Sequence, residues 1–107
     1  MQSNKMKKII ITNYAIGGCE GLYPMAEALA EVLFHPALKI VALDLLKRDD
    51  LARKIVSCGT DSILLEETEY AMVRSAVEKV DTYTRNDVEF IRRVLNAETV
   101  EIQEKNA

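Results

Sequence analysis

Three consecutive isoleucines near the start of the chain restrict the fold more than any other feature. Ile9, Ile10 and Ile11 stand within Lys7–Thr12, KKIIIT. Their β-branched side chains favour extended backbone, and the run is too short for a buried helix. It reads as a strand covered on both faces, and a strand with no polar face belongs in the middle of its sheet. A glycine-containing loop follows, Asn13–Tyr23, NYAIGGCEGLY. Pro24 then suits the first position of a helix, where its missing N–H is not needed. Met25, Leu29, Val32 and Leu33 recur at i, i+4, i+7 and i+8 on one helix face, with Glu27 and Glu31 on the other side. Pro36 pushes His35 out of the α region and ends that helix.

The middle of the chain is ambiguous. ALKIVAL, residues 37–43, has a β-branched centre at Ile40 and Val41 and fits a second strand. The overlapping LDLLKRDDLARKIVSC fits helix better. Leu43 and Leu46 share a face, as do Leu51 and Ile55 with Val56 close by. The five-residue step from Leu46 to Leu51 breaks the helical period. That break predicts a helical turn over 42–48 and a helix over 50–57, capped by Asp49 or Asp50 and closed by Gly59.

The second half is more regular. Ile63, Leu64 and Leu65 follow a Gly-Thr-Asp turn signal and read as a strand. Glu66, Glu67 and Glu69 complement the positive end of the next helix dipole. Tyr70, Val73, Ala76, Val77 and Val80 form its apolar stripe. Thr84 with Asp87 makes a capping box for a last helix that buries Val88, Ile91, Val94 and Leu95, with Phe90 beside them. Thr99–Gln103, TVEIQ, alternates Val100 and Ile102 against Glu101 and Gln103, the pattern of a one-sided edge strand.

These elements predict an α+β domain. A small three-stranded mixed sheet (about 7–12, 62–66 and 99–103) packs against three to four helices (about 24–34, 42–57, 67–80 and 85–97). The alternative is an α/β open parallel sheet with 38–43 as an extra strand. The 107 residues suffice for one core, so a single domain over 1–107 is expected, with flexible ends at 1–5 and 104–107.

Charge and composition exclude several function classes. The net charge is −3, and three of the positive charges, Lys5, Lys7 and Lys8, lie in the first eight residues. The remainder is more acidic still, which opposes nucleic acid and anionic membrane as partners. No apolar run approaches the ~20 residues of a membrane span, and no secretory signal is expected. Two separated cysteines, Cys19 and Cys58, with a single histidine make no metal set and point to a reduced cytoplasmic setting.

The glycine-containing loop is the best candidate site. A strand that ends in such a loop and turns into a helix offers free backbone N–H groups to an anion. IIITNYAIGGCEGLYPMAEALAEVL resembles the first strand, loop and helix of flavodoxin-like proteins. It is also similar to the start of small phosphotransferase domains that carry phosphate on a cysteine after strand one. Either resemblance implies a phosphate or nucleotide site in the 13–24 loop. Two departures weigh against it: Cys19 lies seven residues past Thr12, and no Ser or Thr stands between Asn13 and Pro24. His35, the only histidine, is about 16 Å from Pro24 along a continuous helix, too far to serve Cys19 as a base.

The helices at 67–80 and 85–97 could also be read as a helix-turn-helix that presents Arg85, Asn86, Arg92 and Arg93. Asp87 and Glu89 among the base-facing positions make an ordinary helical hairpin the better reading. What remains is surface. Tyr14, Ile16, Gly17, Gly18, Cys19, Gly21, Leu22 and Tyr23 form a loop suited to a ligand or partner. Tyr83 and Phe90, as half-exposed aromatics, and Val100 and Ile102, on an edge strand, suit an interface. The expected function is therefore that of a small non-enzymatic cytoplasmic protein that acts through association with a protein partner or with itself. No catalytic residue, cofactor or metal is implied. The alternative is a phosphate- or nucleotide-binding protein that uses the 13–24 loop.

Overall fold

The structure, a computed structural model, describes residues 3–16 and 21–103. It is an α+β fold. Strand β1 spans Ser3–Ile10, β4 spans Ser62–Leu65 and β5 spans Glu98–Gln103. They form one sheet in the order β4-β1-β5. Ile9 and Ile10 thus lie on the central strand, and Ile11 stands just past its end. Both pairings are antiparallel, with Ile9 opposite Ile63 and Met6 opposite Val100, so this sheet is not mixed. Two short strands, β2 (Tyr14–Ala15) and β3 (Leu22–Tyr23), pair separately as an antiparallel ribbon within the expected loop.

Among the described residues the α-helices are α1 (Met25–Val32), α2 (Ala42–Val56), α3 (Glu67–Lys79) and α4 (Val88–Leu95). Helices α3 and α4 pack on β1, and α1 packs on both α3 and α2. The sheet gives its helix side Ile9, Ile11, Ile63 and Leu65, all buried. Lys7 shares that side, and its ammonium lies over the Tyr70 ring at 5.3 Å. Side chains alternate along a strand, so Met6, Lys8 and Ile10 face the other way, where Ile10 is 48% exposed. The central strand is therefore covered on one face, not both.

Residues 38–43 are not a strand, which removes the open parallel sheet. His35 Nδ1 accepts from the Ala37 N–H at 3.1 Å and starts a 3-10 turn over Pro36–Leu38. Lys39 then turns left-handed, φ 51° and ψ 57°. Val41 accepts the first bond of α2, from Leu45 N–H. Too few extended residues are left to pair with a neighbour.

Helix α2 runs unbroken through the position where the period fails. At about 100° per residue, Leu46 and Leu51 lie about 140° apart around the helix. The step records a change of surroundings. Leu51, Ala52 and Ile55 are buried, whereas residues 41–47 are exposed throughout. Arg48 stands at the transition and donates from Nη1 to the Leu33 carbonyl at the end of α1, 3.1 Å. Val56 is also exposed, and Gly59 takes the left-handed φ of 67° beyond the helix end.

Strand β1 begins at Ser3 and pairs with β5 from there, earlier than the expected start at residue 7; residues 1–2 and 104–107 lie outside those described. In α4 the buried pair is Phe90 and Val94, while Val88 is exposed. If α2 is half docked, Leu51→Ala will cost about 2–5 kcal/mol of stability. Leu43→Ala and Leu46→Ala will each change it by less than about 0.5 kcal/mol. Urea-denaturation midpoints of the three variants check this contrast.

Candidate functional site

The β2–β3 ribbon is fastened to the start of α4 through two tyrosines. Tyr14 and Tyr23 are cross-strand partners, and their rings stack at 4.7 Å between centroids. The Tyr14 hydroxyl donates to the Asn86 carbonyl at 2.8 Å and accepts from the Phe90 N–H at 3.2 Å. The Tyr23 hydroxyl donates to Asp87 Oδ1 at 2.5 Å. The opposite oxygen of Asp87 accepts from Thr84 N–H at 2.8 Å, as the capping box predicts. Asn13 contributes at a distance: its Oδ1 accepts from Met25 N–H at 3.1 Å and so caps α1 from twelve residues upstream.

Arg93 completes the attachment. It donates to the Thr12 carbonyl at 2.7 Å and the Ile10 carbonyl at 3.3 Å, pairs with Glu89 at 2.9 Å, and lies 5.0 Å over the Tyr14 ring. Between ribbon and helix a groove of about 720 Å³ opens. Tyr14, Ala15 and Ile16 form one wall; Val88, Glu89 and Arg92 belong to the other, with Arg85 and Asn86 at its start. Two segments far apart in sequence, the 13–24 loop and the arginine-bearing helix, thus share one concavity.

The remaining site residues distribute differently. Gly17, Gly18 and Cys19 lie outside the described residues. Gly21 and Leu22 are exposed. Phe90 is buried, 1% exposed, because it and Val94 one turn on form the inner face of α4. Its ring has Tyr23 at 6.0 Å and Tyr83 at 6.4 Å, and this aromatic group fills the space under the ribbon. Tyr83 is partly buried and donates to the Val77 carbonyl at 2.9 Å. Val100 pairs with Met6 on the sheet side away from the helices; the Ile102 side chain lies outside what is described. Among the described residues, no three His, Cys, Asp or Glu side chains cluster as a metal would require, and no helix is long and apolar enough to cross a membrane.

The apolar end of α2 escaped the sequence reading altogether. Val41, Leu43, Leu45 and Leu46 are 63%, 73%, 46% and 65% exposed. The five-residue gap before Leu51 was the available signal, since it places the leucines of the two halves on different sides of one helix. The chain matches no protein-family model, no curated protein and no solved structure.

The tyrosines also govern behaviour in alkali. Burial, aided by the adjoining Asp87 carboxylate, raises Tyr23 far above the ordinary tyrosine range. Burial, with a smaller contribution from Asp87, pushes Tyr83 up to about 12. Burial also raises Tyr14, against the opposing effect of the Phe90 N–H. Below pH ~10 these hydroxyls are protonated in folded and unfolded chains alike, so their contribution is fully present. Above it the unfolded chain releases protons that the fold retains, so stability falls as pH rises from ~10 through ~12. Urea titrations at about pH 8 and pH 11 should show that loss, and Tyr83→Phe should reduce it. At neutral pH, Tyr23→Phe should cost about 1.5–3 kcal/mol, because it removes a hydrogen bond to a charged group and leaves Asp87 Oδ1 without its donor.

Proposed function

We propose that this chain is a small non-enzymatic cytoplasmic protein that works by association, and that the first half of α2 is the segment it presents. The observation behind this reading is the exposure of Val41, Leu43, Leu45 and Leu46 at the start of one continuous helix whose second half docks through buried Leu51, Ala52 and Ile55. Contiguous apolar surface of this kind is costly in water and marks interaction sites.

The distribution of the four residues favours one kind of occupant. Leu43 and Leu46 lie on one side of α2, with Leu45 across from them. Asp44 and Lys47, at i and i+3, hold the remaining side, so the apolar arc is broad but not complete. Two-fold pairing of α2 with its copy would cover only part of that arc. A different protein with an apolar groove would cover it from Leu45 round to Leu43, with Leu43 and Leu46 as i, i+3 anchors.

A photo-crosslinking amino acid placed at position 43 or 41 in the native host should give one adduct of defined mass, and the same group at exposed Lys79 should give none. Leu43→Asp with Leu46→Asp should abolish the adduct from position 41 and leave the stability of the chain unchanged. Light scattering of the purified chain should report a monomer. Equal adducts from position 79, or a dimer that the aspartates dissociate, would contradict this assignment.

A further inference from the structure

The geometry points to a second binding surface, independent of α2: the groove between β2 and α4 takes an acidic, partly apolar peptide segment of a protein partner. Its charge is the first reason. Among the described residues, Arg85, Arg92 and Arg93 border it with Glu89 as its one carboxylate, on a chain whose net charge is −3. The neighbouring Asp87 is not part of the lining, and its two oxygens are taken by Tyr23 and Thr84.

The three arginines are not equivalent. Arg93 is committed to the carbonyls of Ile10 and Thr12 and to Glu89, and its side chain is largely covered. Arg92 touches Glu89 only at 3.3 Å and is well exposed. Arg85 is exposed at the start of the 3-10 turn over Arg85–Asp87. Positions 85, 88, 89 and 92 fall at i, i+3, i+4 and i+7, so the two exposed guanidiniums flank the Val88 side chain along one face. A guanidinium holds a carboxylate through two parallel hydrogen bonds.

The apolar content decides between acidic partners. Ile16 and the Tyr14 ring line the wall opposite exposed Val88. A peptide that alternates carboxylates with apolar side chains satisfies both features. A nucleic-acid strand would bring consecutive phosphates past Glu89 and into the field of an acidic protein, which opposes it.

The test is fluorescence anisotropy of the whole chain with a labelled decapeptide of alternating Glu and Leu. Saturable binding that weakens with added salt is expected. Arg85→Glu with Arg92→Glu should reduce affinity at least ~10-fold, and Leu43→Asp with Leu46→Asp should leave it unchanged, which separates this surface from α2. Peptide-induced amide shifts in the unsubstituted chain should centre on Tyr14–Ile16 and Val88–Arg92, a reading that needs no variant to fold. The inference is overturned by no binding, by equal binding of a Lys-Leu peptide, or by amide shifts confined elsewhere. Tighter binding of a single-stranded oligonucleotide, or displacement of the peptide by millimolar inorganic phosphate, would overturn it as well.

Discussion

One guanidinium ties the working parts of this molecule together. A strand that ends inside a protein leaves carbonyls without ladder partners, and each is costly if left dry. Arg93 supplies donors to two of them, on Ile10 and Thr12, where β1 leaves the sheet. The same group pairs with Glu89 one turn back on α4 and covers the ring of Tyr14. Sheet, ribbon and last helix therefore meet at one side chain, beside the two tyrosine attachments. With that corner fixed, Asn13 can reach the start of α1, and Phe90 can fill the space beneath the two stacked tyrosines.

The opposite end of the fold is organised by what it leaves undone. Helix α1 is deeply enclosed, with Met25, Leu29, Ala30 and Val32 buried and Leu33 buried just beyond its end. It shields only the second half of α2. Before Arg48 the described residues leave the helix exposed, yet Val41, Leu43, Leu45 and Leu46 there are apolar. Native chains rarely carry such surface without a use for it. The exposed start of α2 and the arginine-lined groove beside the Arg93 corner are the two surfaces on which the proposed associations rest.

Much of the architecture was legible because local signals agreed with the tertiary result. Three β-branched residues placed the central strand. The stripe from Tyr70 to Val80 gave α3, and Thr84 with Asp87 gave the start of the last helical segment. Errors arose where a distant partner decides. Ile40 and Val41 carry strand propensity, but the His35 cap and the left-handed Lys39 remove them from any sheet. Phe90 looked like a surface aromatic because the tyrosines that enclose it lie elsewhere in the chain. The concavity at Tyr14 and Ile16 exists only once α4 stands against the ribbon, so no local pattern announces it. Strand direction was unreadable for a similar reason: antiparallel and parallel neighbours present the same short apolar runs.

The central claim is that α2 is one helix, half docked and half free. Residue-resolved amide hydrogen exchange on the purified chain tests it most directly. A few turns of helix without packing are marginal in water, so amides of residues 45–47 should exchange orders of magnitude faster than those of Leu51–Val56, whose protection should approach that of β1. Uniform strong protection along α2 would show that its first half is already covered in the isolated protein, and would contradict the account.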